Sequence, residues 1–173
     1  MQDNKLIKAL VLNAQLGNNS AFEQLYQMTV QQIYALIMRL TGNSSAAEKF
    51  TKMAYLNAWQ KIMAKHENDS FAGWLKKIAV KTVLEERSKI KSAQESIVES
   101  DREMNEIDKN FLSSHPLEKL IHNLEFNDKL VFVLHDLENL SYEDISRLSG
   151  IPVKEIKAMI IKSRENLIIL SEE

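Results

Sequence analysis

Apolar residues return every three to four positions along almost this whole chain, and so little interrupts them that stacked helices are the architecture most open to it. The first run is Leu6, Leu10 and Ala14; the second is Phe22, Leu25, Tyr26, Ile33, Ile37 and Leu40, with Gly17-Asn18-Asn19-Ser20 between them. Ser20 followed by Glu23 has the form of a capping box and predicts the start of the second helix. Gly42, in Thr41-Gly42-Asn43, predicts its end. A third helix is expected from Ser44 or Ser45 through Phe50, Met53, Ala54, Leu56, Ala58, Trp59 and Ile62, ending at His66-Glu67-Asn68. A fourth opens at Asp69 or Ser70 and runs through Trp74, Leu75, Ile78, Ala79 and Leu84. Only 4 Gly and 2 Pro occur in 173 residues, too few turn formers for a many-stranded fold. The expected class is all-α, in two small helical domains.

The boundary shows in the charge. From Trp74 to Lys91 the chain carries Lys76, Lys77, Lys81, Arg87, Lys89 and Lys91 against Glu85 and Glu86. From Glu95 to Asp108 it carries Glu95, Glu99, Asp101, Glu103, Glu106 and Asp108 against Arg102. A basic helix therefore runs into an acidic stretch without helical periodicity, which reads as a linker. The expected division is residues 1–92, a linker at 93–114, and residues 115–173. The net charge of −2 is unlike that of a simple nucleic-acid binder, so only local clusters can serve that purpose.

Several chemistries are excluded or unsupported. With no cysteine, disulfides, Cys-ligated zinc and thiol catalysis are absent. His66, His115, His122 and His135 lack metal-ligand spacing, and no nucleophile, base and orienting group can be assembled. No metal, cofactor or catalytic residue is expected. Residues Met1 to Leu12 mix Asp3, Lys5 and Lys8 with apolar residues and predict neither a signal peptide nor an anchor; a cytoplasmic location fits.

After Pro116 the helical period resumes at Leu117, Leu120, Ile121 and Leu124, and Asn127 is expected to cap a helix through Leu130, Val131, Phe132, Val133 and Leu134. Ser141 with Asp144 is again a capping pattern, and Gly150 and Pro152 frame a short turn. A last helix then carries Ile156, Ile160, Ser163, Leu167 and Leu170 on one face. A short helix, a tight glycine turn and a longer helix make a helix-turn-helix.

Leu140-Ser141-Tyr142-Glu143-Asp144-Ile145, Gly150-Ile151-Pro152-Val153 and Ile156-Lys157 resemble the promoter −35-binding domain of extracytoplasmic-function (ECF) sigma factors of the sigma-70 family. Gly17 to Tyr26, Arg39-Leu40-Thr41-Gly42, Ala58-Trp59, Phe71 with Trp74-Leu75, and Ile78-Ala79 resemble the companion domain, sigma region 2, that binds core polymerase and the −10 element. The resemblance spans nearly the whole chain in order. It implies a transcription initiation factor whose partners are core RNA polymerase, promoter DNA and an anti-sigma factor, with no membrane insertion and no enzymatic activity.

Carried onto this sequence, it implies −35 contacts from Ser141, Tyr142, Lys154, Glu155, Lys157, Ala158, Lys162 and Arg164. It implies −10 contacts from Trp74, Lys76, Lys77, Lys81, Arg87 and Lys89, and polymerase contacts from Glu48, Lys49, Lys52 and Tyr55. Residue chemistry points the same way for part of this set. Lys154, Glu155, Ala158 and Lys162 lie opposite the apolar face of the last helix, where a major groove would meet them. Trp74 shares a helix with Lys76, Lys77, Lys81 and Arg87, a combination suited to single-stranded DNA.

The chain also departs from the family pattern. The family's acidic core-binding run corresponds here to Ala46-Ala47-Glu48-Lys49-Phe50-Thr51-Lys52-Met53, with Glu48 alone keeping acidic character. The last helix is neutral, because Glu155, Glu165, Glu172 and Glu173 offset Lys154, Lys157, Lys162 and Arg164. Ile161 and Ile168 fall on its non-core side and suggest a protein contact. An alternative reading is therefore a sigma-like protein that has lost promoter recognition and binds an anti-sigma factor or another regulator. Trp59, Trp74, Phe22, Tyr26 and Tyr34 are expected mainly in the core, and Glu85 with Lys89 is expected as a surface pair.

Overall fold

The computed structural model describes residues 2–65, 70–94 and 116–171, and these residues contain no strand. The N-terminal half is α1 (Gln2–Gln15), α2 (Asn19–Thr41), α3 (Ser44–Lys61, followed by a 3-10 turn at Ile62–Ala64) and α4 (Phe71–Gln94). The C-terminal half is α5 (Pro116–His122), α6 (Phe126–Phe132, continued by a π-helical turn at Val133–Leu137), α7 (Tyr142–Ser149) and α8 (Val153–Ser171). Of the expected linker, residues 93 and 94 are the last of α4, and 95–114 lie outside the described residues, as does the expected end of the third helix at His66-Glu67-Asn68.

Helix α2 is the spine of the first half, in contact with α1, α3 and α4. Its Leu25, Leu36 and Ile37 are fully buried, and Phe50, Ala54 and Ala58 of α3 and Leu75, Ala79 and Val80 of α4 close around them. Each large side chain withdrawn from water in this way stabilises the fold by roughly 1.5–3 kcal/mol.

The start of α2 differs from the expectation at Ser20. Gly17, at φ +86°, takes the left-handed conformation just after α1, and Asn18 follows in extended backbone. Its Oδ1 accepts from Ala21 N at 3.1 Å, so Asn18 is the cap and Ser20 lies inside the first turn. Asn18→Ala is expected to destabilise the chain by about 1 kcal/mol in urea denaturation.

At the other end Gly42 adopts φ +67° and donates its N–H to Met38 O at 2.7 Å. Asn43 then caps α3 by accepting from Ala46 N at 2.8 Å. Ser70 Oγ accepts from Gly73 N at 3.0 Å, in line with the expected start of α4.

In the second half Asn127 is not a cap. Helix α6 begins at Phe126 behind Glu125, which makes no side-chain capping bond, and Asn127 lies in its first turn. The next helix starts as the sequence predicts, with Ser141 Oγ accepting from Asp144 N at 3.1 Å. It ends at Gly150, whose φ of +76° and bond to Ser146 O at 2.9 Å close the turn. Ile145 of α7 and Ile156 and Ile160 of α8 are buried together, with α8 also packed on α6.

Between α6 and α7 the π turn is set by Glu138 N bonding to Val133 O at 3.0 Å, and Asn139 leaves it at φ +57°. Asparagine is among the non-glycine residues that tolerate this conformation best.

The two halves touch. Helix α2 meets α5, α6 and the π turn, and α4 meets α7. Gly42 belongs to this seam: a Cβ there would collide with the His122 imidazole of α5, so the approach needs glycine for space as well as for its positive φ.

Candidate nucleic-acid interface

The helix-turn-helix presents the outer side of α8. Lys154, Glu155, Lys157 and Ala158 are exposed there, while Ile156, Ile160 and Ser163 face inward. Lys157 Nζ lies 5.3 Å from the centroid of the Tyr142 ring, within cation–π range. Tyr142 in turn stacks on His135, whose Nδ1 is 3.0 Å from Leu140 O. This stack fixes the entry to α7 beside its Ser141 cap.

The other two cations of α8 are occupied by acids of α6 and the π turn. Lys162 Nζ is 2.9 Å from Asp128 Oδ2, and Arg164 Nε is 3.0 Å from Asp136 Oδ2. The Asp128 hydrogen bond holds the Lys162 ammonium above its ordinary pKa, and Asp136 does the same for Arg164. The expected phosphate contacts of this helix therefore divide into Lys154 and Lys157, which pair with no carboxylate among the described residues, and two cations that must first leave one. The outer side also carries Ile161, Ile168 and Ile169, each more than half exposed.

On α4 the expected cluster is brought together along one helix. Trp74 is half-buried against the core, its ring 5.8 Å from Phe71. Lys76 Nζ is 2.6 Å from Glu138 Oε2, and Lys77 Nζ is 3.0 Å from Asp144 Oδ1. Arg87 lies 3.9 Å above the Phe126 ring. Lys81 pairs within its own helix with Glu85 at 3.8 Å, and Lys89 with Glu86 at 2.6 Å. The expected partner of Lys89 was Glu85, one residue away; the i,i−3 contact takes its place.

Sequence inspection missed Arg39 as a member of this charged region. Its Nε is 2.8 Å from Glu118 Oε1, and its Nη1 is 3.9 Å from Glu138 Oε1. Arg39 is the basic residue in the last turn of α2, and the sequence marked it only through that position and the run Arg39-Leu40-Thr41-Gly42.

On α3, Glu48, Lys49 and Lys52 are exposed and form one polar face, joined by the exposed Leu56. Tyr55 is not part of it. Its ring is buried against Phe22 and Tyr26, its hydroxyl is 2.7 Å from Thr29 Oγ1, and burial pushes its pKa up to about 12. It is a core residue, because the buried stripe Ala47, Phe50, Thr51, Ala54 and Ala58 includes position 55. Tyr26 is the reverse case: expected in the core, it is 36% exposed at the edge of that aromatic group.

No group of potential metal ligands occurs among the described residues, and none of their helices is long and apolar enough to cross a membrane.

Residues 114–167 match the family described as Sigma-70, region 4. Over 91% of both chains, the sequence is 28% identical to the ECF RNA polymerase sigma-E factor of Haemophilus influenzae. It is 24% identical to the ECF RNA polymerase sigma factor SigW of Bacillus subtilis, covering 94% of this chain and 95% of that one. The fold is similar to that of RpoE from Bartonella quintana, solved with the anti-sigma factor NepR, at a TM-score of 0.65 and 18% identity over 87% of this chain and 96% of the other. It is also similar to CnrH, solved with the cytosolic domain of CnrY, at a TM-score of 0.68 and 17% identity over 96% and 97% of the two chains.

Proposed function

Because the chain belongs to the ECF group of the sigma-70 family, we infer that it directs transcription initiation by binding core RNA polymerase and promoter DNA. The observation that carries this is the helix-turn-helix with an exposed, partly basic outer face, following a four-helix unit whose last helix gathers a tryptophan and basic residues. In this reading residues 1–92 form the region 2-like part and residues 115–173 the region 4-like part, working in the cytoplasm without a catalytic step of their own.

Lys154 and Lys157 are assigned to −35 backbone phosphates and Glu155 and Ala158 to base edges, with the Ser141 cap, the Tyr142 ring and the N-terminus of α7 adding a phosphate contact. Lys162 and Arg164 join them once released from Asp128 and Asp136. Trp74, Lys76, Lys77, Lys81, Arg87 and Lys89 are assigned to the −10 strand, and Glu48, Lys49 and Lys52 to polymerase.

The test is association with core polymerase in a pull-down, followed by single-round transcription on a promoter library. Retention of polymerase and initiation from a subset of promoters are expected. Lys154→Ala with Lys157→Ala should weaken promoter binding and lower the slope of log K against log salt by about 0.9 for each phosphate that is no longer neutralised. The exposed Ile161, Ile168 and Ile169 favour a second reading, a sigma-like regulator that binds an anti-sigma factor without promoter recognition. Promoter-specific initiation would sink that reading; failure to bind core polymerase would sink the first.

A further inference from the structure

The exposed side of α8 carries a stripe made of Lys154, Ala158, Ile161, Glu165 and Ile168, whose members alternate in spacing between four residues and three. That is the spacing of a seam along which one helix meets another. Ile156, Ile160, Ser163 and Leu167, the residues turned into the core, lie on the opposite side of the helix. Ile161 and Ile168 are more than half exposed, and so is Ile169 beside them. Glu165 follows Ile161 by four residues and precedes Ile168 and Ile169 by three and four, so all three isoleucines are its neighbours on the helix surface. A carboxylate set among exposed isoleucines suits a protein surface and repels a DNA phosphate.

The charges define what fits this stripe. Lys162 and Arg164 are satisfied within the chain by Asp128 and Asp136, but the exposed Lys154 and Glu165 pair with no opposite charge among the described residues. Lys154 lies in the first turn, where the helix dipole favours an anion, so the stability of α8 does not account for it. Lys154 precedes Ala158 by four residues, and Glu165 follows Ile161 by four. A cation and an anion thus stand at equal distances on either side of an apolar centre, and such a surface is complementary to itself turned end for end. With Ala158 laid against Ile161 of a second, antiparallel α8, Lys154 meets Glu165 at one end and Glu165 meets Lys154 at the other. Alanine lets the two helices approach closely, and the facing isoleucine fills the space above it. On one flank Glu155 comes beside Lys162; on the other Lys157 comes beside Arg164, whose charge Asp136 already offsets.

We propose that the outer face of α8 is the interface of a homodimer, in which two copies of this chain pair antiparallel through Lys154, Ala158, Ile161 and Glu165. Because Lys154 and Ala158 are also assigned to −35 DNA, the dimer and the DNA complex exclude each other, and the chain at high concentration withholds its own recognition helix. That exclusion rests on the function inferred above; the dimer does not. One pair of helices is smaller than a standard interface, so the association is weak, with a Kd on the order of 10 µM.

Sedimentation velocity on the full chain, from about 1 to 200 µM, should show the mean mass rising from one chain toward two. Lys154→Glu alone, or Glu165→Lys alone, sets like charges against each other at both ends of the seam and should raise Kd at least about tenfold. An equal mixture of these two variants should associate like the unaltered chain, because each mixed pair regains both attractions; misfolded variants would not recover. The absence of cysteine gives a check on register. Chains with Ala158→Cys mixed with chains with Ile161→Cys should form several-fold more disulfide-linked dimer on oxidation than either variant alone. A single mass at every concentration, or charge variants that fail to recover on mixing, overturns the proposal. A chain that stays single but loses core polymerase on Ile161→Asp also overturns it and gives this face to polymerase. Excess mixed-sequence duplex DNA at low salt should return the dimer to single chains bound to DNA. If the dimer forms as expected and duplex DNA leaves it intact, the dimer stands and the assignment of this face to DNA falls.

Discussion

Replacing Lys129 with methionine is expected to raise the stability of the chain at pH 7 by about 2–3 kcal/mol, the reverse of what most core substitutions do. Lys129 lies in α6, is 6% exposed, and has no carboxylate within ion-pair distance of its ammonium among the described residues. Burial pushes its pKa down, the nearby Arg87 guanidinium pushes it further, and Glu125 recovers only part, leaving a value of about 8. The same charge, after burial, lowers the pKa of His122 on α5. A lysine displaced from an ordinary 10.5 to about 8 carries on the order of 3 kcal/mol of differential interaction against its charged form.

The direction of the pH dependence follows. Between about pH 8 and 10.5 the unfolded chain binds a proton at Lys129 that the folded chain has released, so stability rises with pH across that window. Below about pH 8 the lysine is charged in both states and its penalty is fully present. Urea denaturation at pH 7 and pH 10 checks both points. The advantage of Lys129→Met should be largest at pH 7 and should shrink toward pH 10. An advantage independent of pH would mean that it came from packing and not from charge.

The second large effect is expected at Ile156. It is fully buried and joins the start of α8 to Ile145 of α7, also fully buried. Ile156→Ala empties that junction and leaves a cavity, at a cost of about 2–4 kcal/mol. The C-terminal half spans fewer than sixty residues, and a helical unit of that size rarely holds more than about 3–5 kcal/mol on its own. Loss of its fold is therefore the expected result, visible as proteolytic cleavage within α7 and α8 while α1 to α4 stay protected. Binding to the −35 element should disappear, with association to polymerase through α3 retained. Ile161→Ala, five residues on but 59% exposed, should change stability by less than about 0.5 kcal/mol and serves as the control.

The helices and the helix-turn-helix could be read from the sequence because their causes are local. Apolar spacing, Gly42 and Gly150 at positions needing positive φ, and Ser141 followed three residues later by Asp144 all act within one or two turns. The start of α2 was misplaced because Asn18 and Ser20 both suit a cap, and Gly17 decides between them through backbone geometry. Tyr55 could have been found: its place in the stripe Ala47, Phe50, Thr51, Ala54 and Ala58 marks it as inward-facing. The partners of the basic helix could not. Lys76 and Glu138 are 62 positions apart, and no local pattern brings a lysine on α4 to a glutamate beyond α6. For the same reason the balance of charges between Pro152 and Glu173 disguised an asymmetry: two of the last helix's cations are held by Asp128 and Asp136 of the neighbouring elements, and two are not.

The π turn at Val133–Leu137 gives this arrangement an unusual genetic basis. Such a turn amounts to one residue inserted into an α-helix, and it rotates everything after it by about 100° relative to a regular continuation. Glu138 is the first residue beyond it. Deleting one of its apolar residues, Val133, Leu134 or Leu137, would swing a different side chain toward Lys76 and Arg39 and carry the glutamate away, leaving every charge in the protein unchanged. A one-codon deletion or insertion is thus enough to break or create the pairing in a single event, and gap positions at this turn are more informative about it than the identity of any aligned residue.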